Sequence, residues 1–208
     1  MNFSQFRKKI PQITSNRLGG INAQFKLAPE LRKRYDTDKI SANNPKVAAV
    51  LALFYPNKNN ETSFLLTERA SYKGAHSSQV SFPGGKKEVR DKNLQQTAVR
   101  ESFEEVGIQP NKVNIVRELT TVYIPPSNFL ATPFLGFSEE TPLFLTNYEV
   151  AKTIEVLVTD LLNDTSISTV SINNSYMNNV EVPCFKLNNH IVWGATAMML
   201  AEIKELLQ

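Results

Sequence analysis

The sequence predicts an α/β domain in which helices are layered on a β-sheet. The first strand is predicted at residues 47–54, an apolar run that would be buried on both faces and that ends at a polar stretch. Residues 62–68 are predicted to form its hairpin partner. Two segments with helical periodicity, 93–106 and 195–206, predict helices, and Gly107 follows the first where a helix-terminating glycine belongs. Strands mixed with a few helices favour this architecture over a helical bundle or an all-β barrel.

The remaining segments complete the predicted element order. Short helices are expected at 2–10 and 30–35, and a loop is expected at 41–45 because the residue before a proline prefers extended geometry. A strand followed by a short helix is predicted within 150–162, and further strands are predicted at 112–123, 130–138 and 180–186.

Length and composition predict one globular domain, over residues 45–208, preceded by an arm over residues 1–44. The 208 residues can bury a full core, and 41% hydrophobic with 21% charged residues is ordinary for a folded protein. No apolar run is long enough to span a bilayer as a helix, and no apolar stretch follows the first basic residues as in a signal peptide. Cys184 is the single cysteine, so no internal disulfide forms. We therefore expect a cytoplasmic protein with no membrane partner.

The predicted arm is basic and partly helical. It holds nine Lys and Arg residues against three acids, a balance of +6, whereas the whole chain carries only +3. Such an arm can attract nucleic acid or a polyanionic small molecule. Because no aromatic residues alternate with the basic ones, a solvated surface is the favoured interpretation, and nucleic acid is not the expected partner.

One segment predicts chemistry: the paired glycines Gly84 and Gly85, followed by a helix that carries Arg100, Glu101, Glu104 and Glu105. On a helix, Glu101 and Glu105 lie one turn apart on the same face, with Glu104 beside them. Converging carboxylates repel unless a cation lies between them, and hard divalent ions such as Mg²⁺ or Mn²⁺ suit oxygen ligands. The glycines let the backbone approach closely, so that the carbonyl of Gly85 could complete the coordination. Arg100 could orient a glutamate or neutralise phosphate charge.

The segment resembles the Nudix box, G-x5-E-x7-R-E-U-x-E-E-x-G-U, in which U is a bulky aliphatic residue. The chain matches it at Gly85 and over most of residues 100–108. It departs at Asp91, which replaces the first glutamate and lies one residue farther from Arg100 than the pattern requires, and at Ser102, which replaces an aliphatic residue. Asp91 is otherwise explained as a turn acid or an acid at a helix start. The resemblance implies the Nudix fold, an α/β/α sandwich with a mixed β-sheet.

A second resemblance is to the coenzyme A pyrophosphatase branch of this superfamily. The chain reads LLTERA over residues 65–70 and FPGG over residues 82–85, similar to that branch's L-L-T-x-R-S-x3-R-x3-G-x3-F-P-G-G. It departs at Ala70, Gly74 and Ser78. Further similarity downstream extends the resemblance over about residues 45–208. It implies hydrolysis of coenzyme A or a derivative to 3′,5′-ADP and 4′-phosphopantetheine.

The resemblance also implies roles for individual residues. Metal ligands are expected at Glu101, Glu104, Glu105 and Gly85, and Arg100 is expected to assist them. Glu149 corresponds to a loop acid that serves many Nudix enzymes as a base or an extra ligand. Arg69 and Lys73, with Gly84 and Gly85, are expected to bind the substrate. Apart from the resemblance, the large apolar ring of Trp193 is expected to pack under the last helix and not to stack on a base.

Three other functions stay open at this point. The first is a Nudix hydrolase that acts on another substrate, such as ADP-ribose, a dinucleoside polyphosphate or a nucleoside triphosphate. The second is a Nudix-fold interaction module without catalysis, and the third is nucleic-acid binding through the basic arm. The expected partner is a small-molecule nucleotide, and a homodimer is compatible with the sequence.

Overall fold

The computed structural model describes residues 1–70, 79–174 and 177–208 of the chain. In chain order, its helices and strands are α1 (Phe3–Ser15), α2 (Gly20–Phe25), α3 (Glu30–Lys33), α4 (Thr37–Ala42), β1 (Lys46–Pro56), β2 (Thr62–Arg69), β3 (Val80–Ser81), β4 (Gly84–Lys86), α5 (Leu94–Val106), β5 (Asn114–Glu118), β6 (Val122–Ile124), β7 (Phe129–Phe137), β8 (Val150–Leu157), α6 (Val158–Leu162), β9 (Ile167–Asn174), β10 (Met177–Leu187), β11 (His190–Trp193) and α7 (Gly194–Leu207). Short 3-10 helices lie at Pro110–Lys112, Pro125–Ser127 and Asp164–Ser166.

The main sheet is mixed. Its strand order is β3-β2-β1-β7-β5. In addition, β4 pairs with β1, β6 pairs with β7, and β8 pairs with β2. Strand β1 runs parallel to β7 from Lys46 to Phe54, but antiparallel to β2 and β4. A parallel pair requires a long crossover, and the chain between β1 and β7 supplies one that includes α5.

The two faces of β1 pack against different helices because successive side chains of a strand point to opposite faces. Ala52 and Phe54 belong to a core formed with residues of α1 and α7. Leu51 and Leu53 belong to a second core, formed with residues of α5. The sheet therefore lies between helical layers, which confirms the predicted α/β/α sandwich with a mixed sheet. In the part of the chain that is described, no helix is long and apolar enough to cross a membrane.

The N-terminal residues pack on the sheet through α1. The helix begins with a capping box, in which Asn2 and Gln5 each accept a hydrogen bond from the other's backbone N–H. Phe6 is fully buried, and its ring stacks on Phe54 with the centroids 5.1 Å apart. The helix predicted at 2–10 continues to Ser15, because burial of Ile13 in the same core extends it beyond the proline at position 11.

The strand predicted at 112–123 is wrong, because two strands, β5 and β6, occupy this segment. The chain leaves the sheet at Thr120, whose backbone N–H and hydroxyl both donate to the buried carboxylate of Glu202, at 3.1 and 2.5 Å. These hydrogen bonds to α7 lie at the break between β5 and β6.

A separate three-stranded sheet, in the order β11-β10-β9, was predicted only at residues 180–186. Strand β9 contains Ile167, Val170 and Ile172, but it has no buried face, because the side chains at 167–173 are exposed or half-buried. Strand β11 is four residues long and follows a two-residue turn at Asn188 and Asn189, both with positive φ. Elements of this kind are specified by pairing with β10, and not by their own periodicity.

Candidate active site

Gly84 and Gly85 lie where β4 pairs with β1, and each is required for a different reason. Gly84 has φ +153°, and a Cβ there would lie 2.3 Å from the carbonyl oxygen of Ala49. A Cβ on Gly85 would lie 2.5 Å from a carboxylate oxygen of Glu101. The first glycine therefore lets β4 approach β1, and the second leaves room for a helix carboxylate against the strand.

Helix α5 carries this carboxylate and a second one to the same wall of a cavity. The helix starts at Asn93, whose side chain accepts from the Gln96 N–H, and ends at Gly107 with φ +75°, as expected for a terminating glycine. Between these ends, Glu101 and Glu105 lie one turn apart, and both line the cavity. The backbone N–H of Gly84 donates to Glu105 at 3.0 Å.

The environments of these two glutamates favour their protonated forms. Burial raises the pKa of Glu105 to about 7, and the charges of Glu101 and Glu149 add to the effect, while the Gly84 hydrogen bond and Arg69 oppose it. Burial also raises the pKa of Glu101, against the effect of its contact with Arg100. The protein by itself therefore provides too little positive charge at this wall to offset the two carboxylates.

Arg100 organises the acids on the outer side of α5. Its guanidinium donates Nε and Nη2 to the two carboxylate oxygens of Asp91, both at 2.9 Å, and holds the pKa of Asp91 well below its usual range. Its Nη1 donates to Glu101 at 2.9 Å and to Glu104 at 3.0 Å. Asp91 is thus the buried partner of Arg100. The pair forms although Asp91 lies one residue farther from Arg100 than the Nudix box requires.

Glu104 does not reach the cavity wall. Its carboxylate accepts from Arg90 at 2.9 Å and from Arg100, and its side chain is 41% exposed. Successive residues are rotated by about 100° on a helix, so Glu104 points in a different direction from its neighbour Glu105. The structure therefore brings together two of the three expected helix carboxylates.

Arg69 and Glu149, both expected in the site, form an ion pair at 3.3 Å and line the same cavity. They come from the end of β2 and from the residue before β8, which are neighbouring strands. The Nε of Arg69 is buried without a hydrogen-bond partner within the described ranges. Lys73, the other predicted substrate contact, lies outside the described residues.

The cavity has a volume of about 540 Å³, and residues from several layers form it. Its wall includes side chains that were not among the expected site residues: Arg32, Lys86, Tyr123, Trp193 and Thr196. Trp193 immediately precedes α7, near which it was expected to pack, and it also faces the cavity. Arg32 comes from the basic N-terminal segment, so its charge was visible in the sequence but its destination was not.

Comparison with known proteins identifies the family. The model of the NUDIX domain matches residues 45–163, which include β4, α5 and Glu149. The chain belongs to the Nudix family. The resemblance inferred from the Nudix box is therefore confirmed, and the protein is a Nudix hydrolase.

Relatives and a solved structure agree with this assignment. The uncharacterized Nudix hydrolase NudL of Photorhabdus laumondii is 29% identical over 171 residues, which cover 82% of this chain and 89% of that protein. The NudL protein of Yersinia pestis strain Pestoides F is 29% identical over 166 residues, which cover 79% and 81%. The structure of a MutT/nudix family protein from Enterococcus faecalis covers 84% of this chain and 71% of that chain, with a TM-score of 0.53. At 14% identity, this last likeness shows the fold alone.

Nudix hydrolases generally use a divalent metal ion, and the residues of this site fit one. As they stand, no three Asp, Glu, His or Cys side chains among the described residues converge closely enough to hold an ion. The donors nevertheless have the required chemistry: Glu101 and Glu105 are oxygen ligands whose negative charge is destabilised by burial and by repulsion from neighbouring carboxylates. A divalent cation would relieve both effects.

Proposed function

We propose that this Nudix hydrolase cleaves the diphosphate bond of coenzyme A or a derivative, and releases 3′,5′-ADP and 4′-phosphopantetheine. One observation carries the proposal. The two stretches that resemble the coenzyme A pyrophosphatase branch, the strand end at Arg69 and the bend at residues 82–85, line the same cavity as Glu101 and Glu105. A substrate bound there would place its diphosphate between a guanidinium and a pair of carboxylates.

Each residue of the site has a separate role in the proposed hydrolysis. Glu101 and Glu105, with the Gly85 carbonyl, would hold Mg²⁺ or Mn²⁺, and Glu104 would join them after release from its arginines. When bound, such a cation polarises phosphate oxygens and lowers the pKa of water. Arg100 orients Glu101 through its hydrogen bond, and Arg69 and Lys73 bind phosphate oxygens. Glu149 accepts the proton of the attacking water, whose oxygen bonds to one phosphorus while the bond from that phosphorus to the bridging oxygen breaks.

The test is to incubate the purified protein with Mg²⁺ and coenzyme A and to identify the products by chromatography. We expect 3′,5′-ADP and 4′-phosphopantetheine in equal amounts, and no products when the metal is chelated. Glu105→Gln should remove nearly all turnover and leave the circular dichroism spectrum unchanged. Glu118→Gln, which neutralises an exposed glutamate on β5, is the matched control and should keep the wild-type rate.

Other outcomes would replace this proposal. Cleavage of ADP-ribose, a dinucleoside polyphosphate or a nucleoside triphosphate, with coenzyme A left intact, would assign another Nudix substrate. Absence of turnover on every substrate, together with absence of Mg²⁺ binding in calorimetry, would make the chain a non-catalytic module. Wild-type turnover by Glu105→Gln would reject the assignment of the metal ligands.

A further inference from the structure

Arg32 is a buried cation that has no carboxylate partner among the described residues. Its residue surface is 6% exposed, although it lines the cavity. Its Nη1 donates to the carbonyl of Tyr35 at 2.9 Å, while its Nε is buried with no hydrogen-bond partner. Burial lowers the pKa of Arg32, whereas Arg100, which is paired with Asp91, has a raised pKa. A buried charge of this kind is costly unless an anion is present to compensate it.

The protein holds this guanidinium in place with aromatic rings. It lies over the ring of Phe25 at 5.3 Å and over that of Tyr123 at 5.8 Å. The Tyr123 hydroxyl donates to Asn128 and accepts from Asn43, both at 3.0 Å. The cation is therefore presented to the cavity from a fixed position, as in a preorganised anion site.

Arg32 and the metal-binding carboxylates lie next to different strands of the sheet. Gly85 of β4 packs against Glu101, and Tyr123 of β6 packs against Arg32. Their strands are separated by β1 and β7, because the local order is β4-β1-β7-β6. Three strand spacings place the two backbones about 14 Å apart. An anion beside Tyr123 would therefore lie apart from one beside Gly85 and would belong to another part of the ligand.

We propose that Arg32 binds a phosphate monoester of the substrate, separate from the diphosphate that is cleaved. This inference rests on the proposed function, and it assigns the N-terminal segment a part in substrate selection. Coenzyme A carries such a group as the 3′-phosphate of its ribose, whereas ADP-ribose and dinucleoside polyphosphates do not. Arg32 thus discriminates between the substrate classes that the Nudix fold leaves open.

The experiment compares coenzyme A with 3′-dephospho-coenzyme A on each enzyme variant. We expect the wild type to prefer coenzyme A at least tenfold in kcat/KM, through a lower KM, a factor equivalent to about 1.4 kcal/mol. Arg32→Gln should abolish this preference by raising KM for coenzyme A alone. Arg32→Lys, which keeps the charge but loses the planar fork, should retain part of the preference. Arg34→Gln removes the same charge from an exposed neighbour and should leave the preference unchanged.

Partial unfolding of a variant does not affect the result, because both substrates are measured on the same protein and only their ratio is used. If the wild type cleaves neither compound, the proposed function fails, and calorimetry with 3′,5′-ADP and 5′-AMP then tests Arg32 by itself. Tighter binding of 3′,5′-ADP that Arg32→Gln removes would support the subsite. The proposal would be overturned if Arg32→Gln had equal effects on coenzyme A and its dephospho form, or on 3′,5′-ADP and 5′-AMP. A wild type without preference would also overturn it, and Arg32 would then be a structural contact of α3.

Discussion

Glu105 shows how the position of one side chain determines its chemistry. It is 7% exposed, accepts the Gly84 N–H, and lies near two other carboxylates whose charges disfavour its ionisation. The pKa of about 7, against an ordinary 4.5, means that it changes charge near neutral pH. A carboxyl group of this kind binds a divalent cation only as it gives up its proton, so metal affinity should rise steeply with pH.

The raised pKa of Glu105 also predicts how the stability of the metal-free protein depends on pH. Between pH 4.5 and about 7, the folded protein binds more protons at this site than the unfolded chain does. The contribution of Glu105 is therefore complete below pH 4.5 and is lost as pH rises to about 7, by about 3 kcal/mol in the free energy of unfolding. Urea unfolding in a chelator should show Glu105→Gln gaining stability relative to the wild type from pH 5 to pH 8. A difference between the two proteins that stays constant with pH would contradict the prediction.

At the scale of elements, ion pairs attach the loop between β4 and α5 to the helix, and the pair of Asp91 with Arg100 is the most buried of them. The Asp91 side chain is 1% exposed and that of Arg100 is 12% exposed. Asp91 also accepts from the Glu88 N–H and from the Thr97 hydroxyl, at 2.9 and 3.0 Å. Each of these contacts joins the loop to itself or to the first turns of α5. Asp91 therefore positions Arg100, and through it the carboxylate of Glu101.

Removal of the Asp91 charge should weaken the attachment of the loop between β4 and α5 to the helix. Asp91→Asn leaves a largely buried guanidinium with weaker compensation, and we expect the free energy of unfolding to fall by about 3 kcal/mol, as for other broken buried pairs. Glu30→Gln is the matched control, because Glu30 and Lys33 form an exposed pair, and it should cost less than about 1 kcal/mol. Equal urea midpoints for the two variants would show that Asp91 does not hold the loop on the helix.

At the scale of the whole molecule, the N-terminal segment and the sheet share a core. Phe3, Phe6 and Ile13 of α1 belong to the same buried cluster as residues of β1 and α7. Two basic residues of this segment form ion pairs with acids of the rest of the chain: Arg7 with Glu139, and Lys26 with Glu205. These contacts support a role as part of the folded body over a role as a free nucleic-acid-binding arm.

This packing predicts that the N-terminal segment and the sheet unfold together. Phe6→Ala removes a fully buried ring and should lower the free energy of unfolding by about 3–5 kcal/mol. The fluorescence of Trp193, on β11, and the far-UV circular dichroism should still change in one coincident transition. Phe103→Ala truncates a ring that is 45% exposed and should have a much smaller effect. Two separate transitions would instead indicate that the segment is an independent unit.

The sequence by itself determined the family, the mixed α/β architecture, and the helix that carries Glu101 and Glu105. These features depend on periodicity and on short spacings along the chain, which a local pattern records directly. The sequence also determined the role of the glycine pair at residues 84–85, because the Nudix box is defined by the spacing between its glycines and its acids.

Only the tertiary structure decided which of the candidate side chains meet. It turned Glu104 toward two arginines, paired Asp91 with Arg100, joined Arg69 to Glu149, and brought Arg32 from the N-terminal segment into the cavity wall. Each of these outcomes depends on the direction of a side chain and on packing between elements distant in sequence. The free energy of burying a charge is set by that packing, so the periodicity of a single segment does not encode it.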